Sequence, residues 1–232
     1  IIGILFFVPG SYEVEARGSR DRYLGFNIAN SIVDPQEIMG GGPPKDGIPA
    51  LLSPRFIPAQ NVDYLNNNEM VVSVTLNGET RGYPLSILVW HEVVNDTLAG
   101  QPIAVTYCPL CGTAMVFNRY INGSLLTFGV SGLLYRSDVL LYDHQTESLW
   151  TQLGMQAVSG RYVKTRLPWI AADHMTWAAW RAQYPDGQML SPKTGFNKNY
   201  GVNLYKDYMN SPNLMFNVPR FRMDLENKVW VV

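Results

Sequence analysis

Met70-Val71-Val72-Ser73-Val74-Thr75-Leu76, then Asn77-Gly78, then Thr80-Arg81-Gly82-Tyr83-Pro84, is the stretch on which the fold class turns. The first run is β-branched and apolar, Asn-Gly is the strongest short hairpin signal, and the second run returns as a partner strand. The same signals repeat downstream. Ile103-Ala104-Val105-Thr106-Tyr107 reads as a buried strand, and Ala114-Met115-Val116-Phe117 as another that leads to a turn at Ile121-Asn122-Gly123. Leu125 to Val130 and Val139 to Asp143 add two more. Pro84 through Asn95 predicts a helix, with Pro near its start and Leu85, Leu88 and Val89 at helical spacing. Trp177 to Arg181 predicts a second short helix, N-capped by Asp173 or Thr176. The expected fold is α+β and β-rich: a mixed or antiparallel sheet, barrel-like or a sandwich, with a few short helices.

With 232 residues, 47% of them hydrophobic and 16% charged, the chain can bury a sizeable core. A net charge of −1 supplies no basic field, which argues against nucleic-acid partners. The apolar run Ile1-Ile2-Gly3-Ile4-Leu5-Phe6-Phe7-Val8 is much shorter than the roughly 20 residues that span a bilayer. It reads as the outer end of a signal or signal-anchor segment, with Val14-Glu15-Ala16 as a small-residue cleavage site, or else as a buried N-terminal segment. The expected organisation is a signal or anchor remnant at 1–16 and an N-terminal extension at 17–45 that ends in Gly40-Gly41-Gly42-Pro43-Pro44, a linker or docking loop. A single globular domain follows at 46–232, and the strand-like ending from Glu226 to Val232 predicts that it continues further. The expected location is extracytoplasmic, periplasmic or at the cell surface. Membrane association through the N-terminal segment would bring a membrane protein complex within reach as partner.

Cys108 and Cys111, in Thr106-Tyr107-Cys108-Pro109-Leu110-Cys111-Gly112-Thr113, are the only cysteines. Two thiols at this spacing can share a metal ion, cycle between dithiol and disulfide, or stay static, as a permanent disulfide or as inert thiols. A Pro- and Gly-containing turn after a strand exposes backbone N–H groups, which favour thiolate. Two further donors would complete a Cys₂His₂ zinc set, whereas Cys, His and Met together suit copper, and Met115 is close by in sequence. The expected additional ligands are His91, in Trp90-His91-Glu92-Val93-Val94-Asn95-Asp96, and His144, in Tyr142-Asp143-His144-Gln145-Thr146-Glu147. Glu92, Asn95, Asp143 and Glu147 are expected as acceptors that orient the two imidazoles. A histidine beside Trp90 also suits a satisfied core position, and Asp143 to Glu147 a buried hydrogen-bond network. His174 is expected at the surface or as a cap. No phosphate loop or nucleophile elbow is present, and no thioredoxin-like Trp precedes Cys108.

Several of these motifs resemble one family. Asp46-Gly47-Ile48-Pro49-Ala50, Tyr83-Pro84-Leu85, Trp90 to Asp96, Thr106 to Thr113, Phe128 to Leu133, Tyr142 to Trp150 and Leu190 to Gly201 look like the hallmarks of the domain-of-unknown-function family numbered 3179. The likeness covers about residues 46 to 220 in consistent order. The resemblance implies an extracytoplasmic protein, since members often carry a signal sequence, and it implies no reaction. It places His91 and His144 inside family motifs, with Arg able to replace His144 in similar sequences. The leading expectation is an extracytoplasmic, membrane-anchored protein that binds a soft metal, copper rather than zinc, through Cys108 and Cys111. The alternatives are a thiol–disulfide oxidoreductase, with Cys108 attacking and Cys111 resolving, and a structural accessory subunit of a membrane complex without site chemistry.

Overall fold

The computed structural model describes residues 21–216. The apolar segment expected as an anchor and the strand-like ending from Glu226 lie outside the described residues. Three sheets stack face to face, and the side chains of the middle one explain the stacking. Its four strands are antiparallel, in the order Trp169–Ile170, Thr113–Asn118, Gln101–Cys108, Val93–Leu98. Val94, Ile103, Val105, Tyr107 and Val116 enter one core, whereas Val93, Ala104, Cys108 and Phe117 enter the other. With both faces covered, the central strand reads as a nearly continuous apolar run rather than an alternation.

The first neighbouring sheet has five strands, in the order Asp173–Thr176, Met70–Leu76, Glu79–Pro84, Gln188–Leu190, Phe56–Pro58. Its pairings are antiparallel apart from that of Glu79–Pro84 with Gln188–Leu190. Val72, Val74 and Tyr83 face the middle sheet, while Val71 and Met189 pack against Trp177 and Trp180 of the helix Trp177–Gln183. The second neighbouring sheet runs Gln156–Ser159, Leu149–Thr151, Asp138–Asp143, Phe128–Tyr135, Ile38–Gly40. Phe128, Val130, Leu141 and Trp150 face inward, while Leu133, Leu140, Tyr142 and Leu149 meet Phe26, Ile28 and Ile38 on the outer side. The architecture is an α+β sandwich. Among the described residues no sheet closes into a barrel, and no helix is long and apolar enough to cross a membrane.

Three local outcomes position the site. The first helix spans only Leu85–His91, because Glu92 turns left-handed (φ 56°) and the chain continues as the strand Val93–Leu98. β-Branched Val93 and Val94 gain cross-strand partners in Thr106 and Val105, and this outweighs a longer helix. Gly40 to Pro44, expected as a linker or docking loop, docks on the second neighbouring sheet. Ile38–Gly40 pairs with Leu133 to Tyr135, and the Gly41 N–H donates to the Gly132 carbonyl at 2.7 Å. Gly132 lies at a bulge with φ +77°, and a Cβ there would stand 2.3 Å from the Pro43 carbonyl oxygen. Finally, the Asn77-Gly78 hairpin forms with φ of 49° and 85°, and Thr176 rather than Asp173 caps the second helix by accepting from the Ala179 N–H.

Candidate metal centre

The strand Gln101–Cys108 carries Cys108 into the core, where it is fully buried, and a tight turn leaves Cys111 partly buried. The Cys111 N–H donates to the Cys108 carbonyl at 3.2 Å, Gly112 has φ 61°, and Thr113 pairs back with Cys108. This closure sets the two free thiols 3.0 Å apart, sulfur to sulfur. A second hairpin tip faces them. Arg136 and Ser137 connect Phe128–Tyr135 to Asp138–Asp143 with φ of 51° and 65°, two non-glycine residues in the left-handed region. The tip aims the Ser137 carbonyl oxygen at the sulfurs, 3.2 Å from Cys111 Sγ and 3.7 Å from Cys108 Sγ. It also places Asp138 Oδ1 3.9 Å from Cys111 Sγ. The tip is anchored by the Arg136 guanidinium, which makes two 3.0 Å hydrogen bonds to the Glu37 carboxylate, and by Ser137 Oγ donating to the Phe216 carbonyl at 3.1 Å. Among the described residues, the sulfurs of Cys108 and Cys111 and a carboxylate oxygen of Asp138 form a group of ligand atoms all within 4.8 Å of one another.

Electrostatically the site favours protonated groups. Burial pushes the Cys108 thiol well above its ordinary range, and the hydrogen bond and charge of Cys111 push it further. The expected thiolate-favouring turn is therefore outweighed at Cys108 by desolvation. Burial also raises Asp138 to about 7, against hydrogen bonds from the backbone N–H groups of Leu153, Gln152 and Val139. Glu92, whose left-handed backbone sits opposite Tyr107, is pushed up to about 8 by burial alone. A metal cation would reverse this balance, because ligation replaces the protons of both thiols. Two sulfurs on one tetrahedral metal at about 2.3 Å each stand about 3.8 Å apart, so loading requires the pair to open slightly.

The histidines stand elsewhere. His91 is fully buried, with Nδ1 2.7 Å from the Pro49 carbonyl and Nε2 2.7 Å from the Tyr200 hydroxyl. The carbonyl can only accept, so Nδ1 carries the proton and Nε2 accepts from Tyr200, which uses both ring nitrogens. Burial lowers its pKa. His144 is exposed and stacks on Tyr142 at 5.0 Å between ring centroids. Neither histidine belongs to the group formed by the sulfurs and Asp138. The expected imidazole-orienting residues have other work. The Asn95 amide donates to the Phe128 carbonyl and accepts from the Phe128 N–H, both at 2.8 Å, and so joins two sheets. Asp143 accepts from Thr146 and from Trp150 Nε1, and Glu147 pairs with Lys45. His174 is half-buried in an edge strand with its ring on the Ala114 carbonyl, and is neither a cap nor a free surface residue.

Asp138 escaped the sequence reading because Arg136-Ser137 carries none of the Asn-Gly chemistry that marks a tight hairpin. The one available signal was the polar triplet Arg136-Ser137-Asp138 between two apolar runs. Comparison with curated proteins and with solved structures gives no match. A family model described as "Protein of unknown function (DUF3179)" matches residues 45–232, well over half of the chain, and the chain therefore belongs to that family.

Proposed function

We propose that the protein holds one soft metal ion, copper in preference to zinc, between Cys108 and Cys111, with Asp138 beside them. The observation that carries this reading is the convergence of two thiols and one carboxyl from two separate hairpins. Two thiolates suffice for Cu(I), whereas structural zinc takes four donors, and the group of ligand atoms that converges here among the described residues comes from three side chains. The apolar N-terminal run and the family likeness support an extracytoplasmic, membrane-tethered protein that stores or hands over this metal as an accessory to a membrane complex. Anaerobic titration of the reduced protein against a Cu(I)-competing chelator tests the reading. One Cu(I) per chain is expected, lost in Cys108→Ser and Cys111→Ser and retained in Asp138→Asn. Zinc binding that exceeds copper binding and vanishes in Asp138→Asn would reverse the choice of metal. No stoichiometric metal at all would remove the proposal.

A second reading, thiol–disulfide exchange, is favoured by the 3.0 Å sulfur separation. In that chemistry the partner's disulfide is reduced to two thiols while Cys108 and Cys111 are oxidised to one disulfide. The burial pattern reverses the roles expected from sequence: Cys111, the more accessible sulfur, attacks, and buried Cys108 resolves. Stoichiometric reduction of a peptide disulfide by the dithiol form would support it.

A further inference from the structure

We propose that residues 206–216 form a strap that latches the thiol loop through the Tyr208 hydroxyl, and that Tyr208 is a positioning residue that sets how fast metal enters and leaves the pair. This names the regulation of the site under the metal reading and rests on that reading, although the latch itself is testable without metal. The strap begins with the short helix Lys206–Met209 and continues as irregular backbone. Three hydrogen bonds tie it to the two hairpin ends that build the site. The Tyr208 hydroxyl donates to the Leu110 carbonyl at 3.1 Å, and Leu110 lies between the two cysteines in the chain. The Met215 backbone N–H donates to the same hydroxyl. At the far end the Phe216 carbonyl accepts from Ser137 Oγ at 3.1 Å, on the residue whose own carbonyl faces the sulfurs. The strap thus runs from the loop that carries Cys111 to the tip that carries Asp138.

Tyr208 is the only buried side chain of the strap, whereas Leu214 and Met215 are 46% and 54% exposed. The hold of the strap is therefore concentrated in one ring and its hydroxyl. Burial raises the pKa of that phenol, and the charges of Cys111 and Cys108 raise it further, so it stays a neutral donor beside the pair. The latch falls on the part that has to move. Cys108 ends a strand of the middle sheet and is fully buried, whereas Cys111 sits in the turn and is partly buried. The Leu110 side chain pins this turn to the core, and Tyr208 holds its carbonyl. Parting the sulfurs from 3.0 Å to the spacing of a shared metal takes only about 0.8 Å, which a hydrogen bond can follow. Entry takes more. A metal that arrives on a carrier has to reach buried Cys108 as well as Cys111, so the turn swings outward and sheds the Tyr208 bond. A bond present before and after loading but absent in between governs both rates and leaves the affinity unchanged.

The test compares the wild type with Tyr208→Phe, which keeps the ring and removes the hydroxyl. In reduced, metal-free protein, iodoacetamide should modify Cys111 about fivefold faster in Tyr208→Phe, the effect of one net hydrogen bond on a local opening. Asn95→Ala, which breaks hydrogen bonds between other segments, should leave the Cys111 rate unchanged. Loaded with one Cu(I), Tyr208→Phe should surrender it to a competing chelator about fivefold faster and reload about fivefold faster, at unchanged affinity. A purely structural tyrosine would instead weaken the affinity. Equal Cys111 rates in wild type and Tyr208→Phe, equal copper rates, a weakened affinity, or the same acceleration of Cys111 in Asn95→Ala overturns the proposal. Absence of stoichiometric copper, with Cys111 still accelerated by Tyr208→Phe alone, would overturn the metal reading and leave the latch standing.

Discussion

Replacing Glu92 by Gln should make the stability of this protein less dependent on pH. The side chain is only 5% exposed, and burial raises its pKa from 4.5 to about 8. The folded chain therefore keeps a proton that the unfolded chain releases above pH 4.5. The resulting stabilisation is complete below pH 4.5 and is lost as pH rises through about 8. At about 1.4 kcal/mol per unit, the loss reaches about 3 kcal/mol between pH 4.5 and pH 7. Gln is isosteric with the neutral acid and does not titrate, so the stability of the variant relative to the wild type should grow by about 3 kcal/mol over that interval. For a chain of this size the gain corresponds to roughly 6–12 °C in Tm. Urea unfolding of both proteins, with reductant and chelator present, measures the difference at each pH. Any constant offset from the amide cancels, as does the titration of Asp138, which both proteins share. A difference that stays flat across the interval would mean that Glu92 ionises as it does in water, and the reasoning from burial would be wrong.

Three further outcomes follow from single contacts. Asn95→Ala should cost about 2–5 kcal/mol in chemical denaturation, because it leaves the buried N–H and carbonyl of Phe128 without their partners. An unaltered midpoint would show that water replaces the amide. Gly132→Ala should destabilise by more than about 2 kcal/mol, since its φ is +77° and the added Cβ meets the Pro43 carbonyl at 2.3 Å. Iodoacetamide followed by peptide mass spectrometry should find Cys111 modified at least about tenfold faster than Cys108, which is fully buried and has a raised pKa. Equal rates would contradict that burial.

The β-rich class, the first hairpin, the strand that delivers the thiols and the closeness of Cys108 to Cys111 were all legible in the chain. Each of these depends on residues adjacent in the chain. A β-branched run next to Asn77-Gly78 has few alternatives to a hairpin, and two thiols either side of a tight turn meet within it. Local pattern also supported a helix after Pro84, but its end at His91 depended on where Val93 and Val94 would find strand partners. What surrounds the sulfurs depends instead on long-range packing. Asp138 and the Ser137 carbonyl arrive from a hairpin whose turn residues carry no local signal, and its placement depends on a bulge at Gly132 and an ion pair to Glu37. His91 stood in the motif that best suggested a ligand, yet tertiary contacts gave both of its nitrogens to Pro49 and Tyr200. The difference is one of range. Turn and strand preferences act over a few residues, whereas the chemistry of a buried group is set by whichever distant segments remove it from water.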